Sequence, residues 1–261
     1  MLRPREGHDL KLVSIAVRTY PPSSITWASD VFGNTIATAD FQGQSGSLLI
    51  ESDVVLELSA PAWPVFPIAA GAASYPFVYS PEERADLGAL LISRHPDPRG
   101  RVSGWAKGFV AATPTDTLSL LKDMNTGVSA SVCYESREDE GTQQPARTLD
   151  LGRGSCRDMA LLFVEAARAL GFGARIVSGY SYNPALQNGG GTTHAWGEVY
   201  VPGAGWITFD PTNRQTGGFN LIPVAVARDL PQAMPVSGSF VGSDTDLKRL
   251  TVMVRVSEQN S

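Results

Sequence analysis

The sequence predicts an α+β fold, in which a small β-rich unit precedes a larger unit of helices and antiparallel strands. Three patterns predict it: short alternating runs from Lys11 to about Leu58, one amphipathic helix that opens at Cys156, and a hairpin pattern from Thr193 to Asp210. With 261 residues, of which 43% are hydrophobic and 18% charged, the chain is long enough to bury a sizeable core.

The first 78 residues are predicted to form the small β domain and its connector. Turn signals at Pro21-Pro22 and Gly33-Asn34 separate the alternating runs. The stretch 61–81 combines prolines with aromatic residues, which is typical of an extended connector packed against the rest of the protein. We expect residues 79–235 to form the core, and residues 236–261 a C-terminal strand and tail.

Two helices are predicted before the cysteine helix. Ser80 has the features of a helix cap, with Pro81 at the first helical position and Glu83 three residues after the cap. A second helix is predicted from about Thr115 to Val128. The polar residues 136–147 indicate a surface loop that leads into the cysteine segment.

The segment from Gly152 to Gly171 predicts a helix whose first residue is Cys156, with Ser155 as its cap and Gly171 at its end. The apolar face consists of Met159, Leu162, Phe163, Ala166 and Leu170. Unpaired backbone N–H groups and the helix dipole favour an anion at this end, so the thiol pKa should fall below its free value of about 8.5. The same N–H groups can stabilise the oxygen of a tetrahedral intermediate, which makes Cys156 a candidate both for nucleophile and for oxyanion donor.

The other cysteine, Cys133, follows Val-Ser-Ala-Ser-Val without a glycine-rich approach and is interpreted as structural. Two cysteines are too few for a disulfide framework or a four-ligand zinc site, although the sequence leaves a bridge between Cys133 and Cys156 open. No clustered carboxylates suggest calcium, and we expect neither a metal nor another cofactor.

A thiol nucleophile needs a histidine as general base, and the chain has three. His8 and His95 are interpreted as solvated loop residues, whereas His194 opens a strand pattern. A hairpin would bring that strand beside Asp210, which could orient the imidazole. Pairing Val201 with Trp206 would place Asp210 opposite Gly197, so a bulge or a longer loop is expected. A buried structural histidine and a strand-ending turn at Asp210-Pro211 remain the alternatives.

Four motifs together resemble the bacterial transglutaminase-like superfamily over about Leu149 to Asn213. They are Gly154-Ser-Cys-Arg-Asp158, Arg175-Ile-Val-Ser-Gly-Tyr180, His194-Ala-Trp-Gly-Glu-Val-Tyr-Val-Pro-Gly203 and Gly205-Trp-Ile-Thr-Phe-Asp-Pro-Thr-Asn213. The resemblance implies a papain-like core, in which a cysteine helix packs on an antiparallel sheet. It also implies that Cys156, His194 and Asp210 are nucleophile, base and orienting acid.

The amino-terminal part resembles the small β domain that precedes this core in one bacterial branch. The matching stretches are Leu2-Arg-Pro-Arg5, Asp30-Val-Phe-Gly-Asn34 and Tyr75-Pro-Phe77. In that branch a further strand precedes the first stretch, so a missing first strand, or a start upstream of Met1, is expected. An unpaired β edge here could pair with another chain, so an oligomer is expected to be possible.

The resemblance implies thiol-dependent attack on amide carbonyls of peptide or protein substrates. A peptidase or amidase is favoured, with acyl transfer to an amine and a catalytically unused peptide-binding module as alternatives. Gln143 and Gln144 are candidate second oxyanion donors. Tyr180, Trp196 and Trp206 are candidates for the substrate groove. Residues 180–183 and 187–192 are predicted to form a glycine-rich loop that is either a lid or a long connection.

Charge and composition argue against nucleic acid and membrane partners. The net charge is −5, and Lys and Arg form no stripe that could follow phosphates. The most apolar stretch, 60–73, is shorter than the roughly 20 residues of a membrane helix and contains three prolines. The N-terminal residues lack the apolar segment of a secretory signal, so we expect a cytoplasmic location.

Overall fold

The amino-terminal unit consists of two antiparallel strand pairs. The computed structural model describes residues 1–137, 141–183, 190–243 and 246–258. Strand β1 (Leu10–Tyr20) pairs with β4 (Leu49–Leu58), and β2 (Ser23–Ser29) pairs with β3 (Thr35–Phe41). Side chains along β4 alternate between exposed and half-buried, which is the period-2 pattern that predicted these strands.

Helices occupy the middle of the chain, and three of them begin close to where the sequence predicts. Two further helices are short, and their seven residues are too few for a readable 3.6-residue period. One of them begins at Pro145, inside the predicted 136–147 loop, and ends at Gly152, which adopts the left-handed conformation. The loop prediction is therefore wrong for residues 145–147. The described helices are α1 (Pro81–Leu87), α2 (Arg101–Lys107), α3 (Thr117–Ser131), α4 (Pro145–Leu151) and α5 (Cys156–Ala169).

The core of the molecule is an antiparallel sheet of five strands within the described residues. Two small pairs flank it: β5 (Ser74–Tyr75) with β6 (Thr115–Asp116), and the parallel pair β7 (Cys133–Tyr134) with β8 (Arg153–Gly154). The order across the main sheet is β12 (Gln215–Thr216), β11 (Gly205–Asp210), β10 (Gly191–Val201), β9 (Ala174–Tyr182) and β13 (Leu221–Ala227).

Helix α5 lies directly on this sheet because Gly197 in β10 has no side chain. A Cβ atom at Gly197 would lie 2.7 Å from Phe163, closer than real Cβ contacts allow, and 3.1 Å from Val164, which is a tight contact. The side chains of α5 from Met159 to Ala167 are buried, so the helix is held along most of its length. This packing fixes the position of the cysteine end relative to β10.

The turn between β2 and β3 anchors the amino-terminal unit to the core. Buried Asn34 donates from Nδ2 to the carbonyl of Val226 (2.7 Å) and accepts from the N–H of Val226 (2.9 Å), as a neighbouring strand would. The Asp30 carboxylate accepts from the N–H groups of Phe32 and Asn34 and thereby shapes the turn. A two-stranded pair is marginal alone, so this anchor stabilises the unit.

The connector 61–81 packs against the core, as predicted. Tyr79 donates its hydroxyl to the carbonyl of Tyr200 (2.7 Å), and the ring of Tyr75 stacks on Phe172. The N–H of Ala69 donates to Pro202 in the turn after β10 (2.8 Å). Beyond residue 235, the described part of the chain forms no ladder, and Arg255 makes an isolated bridge with Gly190.

Candidate active site

A three-residue turn sets the register between β10 and β11. Val201 pairs with Gly205 and Gly197 with Phe209, so the turn 202–204 is one residue shorter than expected, and the predicted bulge or longer loop is wrong. Continued by one step, this register brings Asp210 opposite Trp196. Residues two apart on a strand share a face, and His194 is therefore the diagonal neighbour of Asp210 on the same face.

His194 and Asp210 form a short hydrogen bond beyond the last pair of the β10–β11 ladder. His194 Nε2 lies 2.7 Å from Asp210 Oδ2, with His194 8% exposed and Asp210 fully buried. Since a carboxylate only accepts, Nε2 carries the proton, and Nδ1 is the nitrogen left for Cys156. Burial lowers the pKa of His194, but hydrogen bonds to Asp210 and Cys156 and the charges of both outweigh it and raise the pKa to about 10.

The Asp210 carboxylate is held by the turn that follows it. Oδ1 accepts from the backbone N–H groups of Thr212 (3.0 Å) and Asn213 (3.3 Å), and Oδ2 accepts from Asn213 Nδ2 at 2.7 Å. From the other side, Asn125 in α3 donates to the carbonyls of Asp210 and Gln215. Asn125 and the role of Asn213 escaped the sequence analysis, because an asparagine in a helix or turn has no distinctive pattern.

Cys156 is the first residue of α5, as predicted, with Ser155 at the cap. It is partly exposed, and its backbone N–H has no acceptor among the residues that the structure describes. Both cysteines are free, so the bridge to Cys133 that the sequence left open is absent. Cys133 is exposed and pairs with Arg153 in the β7–β8 ladder.

A buried carboxylate organises the loop around the cysteine. Asp158 is fully buried and accepts from Ser155 N (2.8 Å) and Oγ (2.9 Å), from Gln143 N (2.7 Å) and from Arg137. Burial raises the pKa of Asp158, but these donors, led by the Gln143 backbone N–H, lower it below its usual value. The ionised carboxylate therefore ties residues 137 and 143 to the start of α5.

The two candidate oxyanion glutamines make contacts inside the fold. Gln143 Nε2 lies 3.1 Å from the carbonyl of Arg153 and 3.3 Å from Asp158 Oδ2, which uses both of its hydrogens. Gln144 Oε1 lies 2.9 Å from His95 Nδ1. These contacts do not support either amide as an oxyanion donor. Tyr134 has no distinctive pattern in the sequence, yet it lies close to Cys156. The pKa of Tyr134 is raised, mainly by burial and further by the negative charge of the Cys156 sulfur.

The three groove candidates occupy different places. Trp196 is 1% exposed and packs beside the ring of His194, with centroids 6.0 Å apart. Tyr180 pairs with Thr193 and thus points to the face opposite His194. Trp206 lies at the turn end of β11, roughly 14 Å along the strand from Asp210, where the guanidinium of Arg175 covers its ring at 4.0 Å. The placements of Trp196 and Trp206 do not support contact with the thiol, whereas Tyr180 shares the face of the sheet on which α5 lies. The predicted lid or connection falls partly outside the described residues, since 187–189 belong to the undescribed range. Residues 180–182 lie in β9 and residues 191–192 in β10, so the loop prediction is wrong for them.

His95 is not a solvated loop residue. Its side chain is 12% exposed, and its Nε2 lies 3.4 Å from Asp229 Oδ1 while its Nδ1 faces Gln144. The backbone N–H groups of Arg94 and His95 donate to Glu165, which forms a buried ion pair with Arg168 in α5. The flanking Arg94 and Pro96 gave no hint of these tertiary contacts.

Within the described residues, no three or more His, Cys, Asp or Glu side chains are grouped so that they could hold a metal ion. None of the helices in that same part of the chain has the length and apolar character needed to cross a membrane.

Two family models match the chain. Residues 103–211 match the transglutaminase-like superfamily model, and residues 1–57 match the bacterial transglutaminase-like N-terminal region. An uncharacterised protein of Mycobacterium leprae is 33% identical over 109 residues. That match covers 40% of this chain and 38% of the relative, so the chain spans well under half of that relative's length.

A solved structure shows the same fold. It is the crystal structure of a putative cysteine protease from Cytophaga hutchinsonii, with 20% identity, a TM-score of 0.70, and coverage of 89% of this chain and 76% of that one. At this identity the likeness concerns the fold, and it confirms the α+β architecture with a papain-like core. The core at residues 103–211 is therefore similar to the transglutaminase-like superfamily, and a stretch similar to the bacterial transglutaminase-like N-terminal region precedes it.

Proposed function

We propose that this chain is a thiol enzyme that attacks amide carbonyls of peptide or protein substrates through Cys156, His194 and Asp210. One observation carries the proposal: buried His194 hydrogen-bonds to Asp210 through Nε2 and interacts with Cys156 at the start of α5. The match of residues 103–211 to the transglutaminase-like superfamily model supports thiol-based chemistry, whether hydrolase or transferase. Hydrolysis, as in a peptidase or amidase, is the favoured reaction.

The chemistry begins when His194 Nδ1 takes the proton of the Cys156 thiol. The sulfur then attacks the amide carbon, a C–S bond forms, and the carbonyl electron pair moves onto oxygen. In this proposal the Cys156 backbone N–H, which has no acceptor among the described residues, donates to that oxygen. Loss of one such donor typically costs on the order of 100- to 1000-fold in rate. The imidazolium gives its proton to the leaving nitrogen as the C–N bond breaks, which leaves a thioester.

The second half of the reaction decides between hydrolysis and transfer. Water that loses a proton to His194 Nδ1 attacks the thioester, releases a carboxylic acid and restores the thiol. A primary amine that attacks in the same way gives a new amide, which would make the protein a transglutaminase. The partly exposed position of Cys156 is compatible with either acceptor.

The test is incubation with a glutamine-containing peptide and a primary amine, followed by mass spectrometry. Backbone cleavage, side-chain deamidation and amine incorporation each change the mass differently. We expect cleavage or deamidation from the wild type and from Cys133→Ala, and no reaction from Cys156→Ala. If Cys156→Ala gives the same products as the wild type, a thiol mechanism at this residue is wrong.

The rival proposal is a peptide-binding module whose site no longer reacts. A thiol probe at neutral pH distinguishes the two, because a thiolate reacts and a buried or neutral thiol does not. Preferential labelling of Cys156 over exposed Cys133 supports the enzyme, and labelling of Cys133 alone supports the module. The predicted cytoplasmic location and the pairing of an N-terminal β edge with another chain remain predictions.

A further inference from the structure

Asn213 shares one carboxylate oxygen with the histidine of the proposed site. Its Nδ2 lies 2.7 Å from Asp210 Oδ2, the same oxygen that His194 Nε2 approaches at 2.7 Å. The two nitrogens are 3.5 Å apart. Since Asp210 Oδ2 can only accept, the Asn213 amide must point its NH2 group towards it. One buried oxygen of Asp210 therefore accepts hydrogen bonds from two donors.

We propose that Asn213 is a positioning residue that acts through Asp210 and weakens the stabilisation that the carboxylate gives to the imidazolium of His194. The inference rests on the proposed function, because only a general acid needs to release a proton from that imidazolium, here the proton on Nδ1. A carboxylate with a second donor carries less free negative charge, so it stabilises the charged imidazole less. Proton delivery to the leaving nitrogen then costs less.

The surroundings isolate this effect from other charges. The charged groups that act on His194 are Asp210, at the end of β11, and Cys156, at the start of α5. Trp196, its neighbour on β10, is uncharged and buried. The backbone N–H groups of Thr212 and Asn213 hold Oδ1 whatever the side chain at 213, so the carboxylate keeps its orientation when that side chain changes.

The experiment is an NMR titration of the His194 imidazole in full-length protein that carries Cys156→Ala. This background removes the thiol charge, so the result does not depend on turnover. We expect Asn213→Ala to raise the His194 midpoint by about one pH unit. Asp210 then loses the charge-assisted hydrogen bond from Asn213 and stabilises the protonated imidazole more strongly. Asn213→Asp keeps the shape, brings a second carboxylate and should raise the midpoint further.

Thr212→Val is the matched control. Its hydroxyl contacts Met159 Sδ and not the dyad, while its backbone N–H is retained, so the midpoint should stay unchanged. An unchanged or lowered midpoint in Asn213→Ala and Asn213→Asp, with only a lower melting temperature, would show a structural role and overturn the inference. With the cysteine restored, we expect Asn213→Ala to lower kcat roughly 10-fold with KM unchanged.

The outcomes separate the inference from the proposed function. A raised midpoint without peptide turnover in the wild-type chain supports the role of Asn213 at Asp210 and contradicts the enzyme proposal. Turnover that depends on Cys156, together with an unchanged midpoint, supports the enzyme and overturns the inference.

Discussion

Apart from the exposed pair His8–Asp9, the described part of the chain contains two largely buried histidine–aspartate pairs, which differ in the group that contacts the second ring nitrogen. In one, His194 Nε2 lies 2.7 Å from Asp210, and the ring also interacts with Cys156. In the other, His95 Nε2 lies 3.4 Å from Asp229, and Nδ1 faces the side-chain oxygen of Gln144 at 2.9 Å. A thiol can give up a proton to the ring, whereas an amide oxygen cannot.

The contrast teaches that a buried His–Asp pair alone does not identify a base. Both pairs are largely buried, and in both the hydrogen bond to aspartate raises the histidine pKa against the effect of burial. His95 connects the Asp229 turn to Gln144 at the start of α4, which makes it a structural crosslink. His194 connects an acid to the proposed nucleophile, which is the arrangement that a general base needs.

The largest difference in activity between the two pairs is expected when each histidine is replaced with glutamine. His194→Gln removes the proton acceptor of the thiol, so kcat/KM on a cleaved peptide should fall by at least about 10⁴-fold. His95→Gln should leave kcat/KM within a few-fold of the wild type. Equal losses in the two variants, both with native circular dichroism, would contradict the assignment.

The aspartates provide the second test. Asp210→Asn offers an amide where His194 Nε2–H needs an acceptor, so the wrong tautomer is favoured and kcat should fall on the order of 10³-fold. Asp229→Asn should lower the melting temperature with little change in kcat, because Asp229 also caps the turn at Leu230. If Asp210→Asn retains wild-type kcat while Cys156→Ala is inactive, the orienting role of Asp210 is wrong.

The pH dependence of stability should reveal the structural pair. The hydrogen bond to Asp229, opposed by burial and assisted by Gln144, raises the pKa of His95 above its ordinary value of 6.5. A raised pKa means that the stabilisation is fully present below about pH 6.5 and is lost as the pH rises through the folded-state pKa. The wild type should therefore exceed His95→Gln in free energy of unfolding by more at pH 5.5 than at pH 9, measured by urea titration. A pH-independent difference would contradict this.

The smallest effect is expected for Gln144→Ala. Loss of the hydrogen bond to His95 Nδ1 should cost about 1 kcal/mol of stability and leave turnover almost unchanged. If turnover instead slows on the order of 100-fold at normal stability, Gln144 is an oxyanion donor after all. Gln42→Ala removes an exposed glutamine from the amino-terminal unit and is the matched control for stability.

The sequence predicted those parts of the site that depend on local patterns. The Ser155 cap, the glycine after α5 and the apolar face placed Cys156 at a helix start, and the strand and turn signals placed His194 and Asp210 in one hairpin. The register was wrong by one residue, because the sequence 202–205 does not show which glycine begins the return strand. Family resemblance, not spacing, joined the cysteine to the hairpin.

What could not be predicted depends on contacts between residues distant in the chain. Asn34 bonds to Val226 across 192 residues, and His95 bonds to Asp229 across 134. In the sequence, Asp158 stands out only as the last residue of the motif Gly154-Ser-Cys-Arg-Asp158, although it also binds Arg137 and the Gln143 backbone. Such contacts arise from tertiary packing, and no window along the sequence contains both partners.

The pairing of β10 with β11 also determines where this hairpin can change in length. Odd-numbered residues of β10 pair with odd-numbered residues of β11, and even with even. A residue added to the turn 202–204 can be taken up by a longer loop that leaves this pairing unchanged. One residue inserted within β11, before Asp210, would instead carry the acid to the other face of the sheet and away from His194, whereas an inserted pair would preserve its side. Homologous hairpins that keep the acid should therefore vary in turn length, but should differ only by even numbers in the length of the return strand before the acid, a parity rule that a survey of related structures can check.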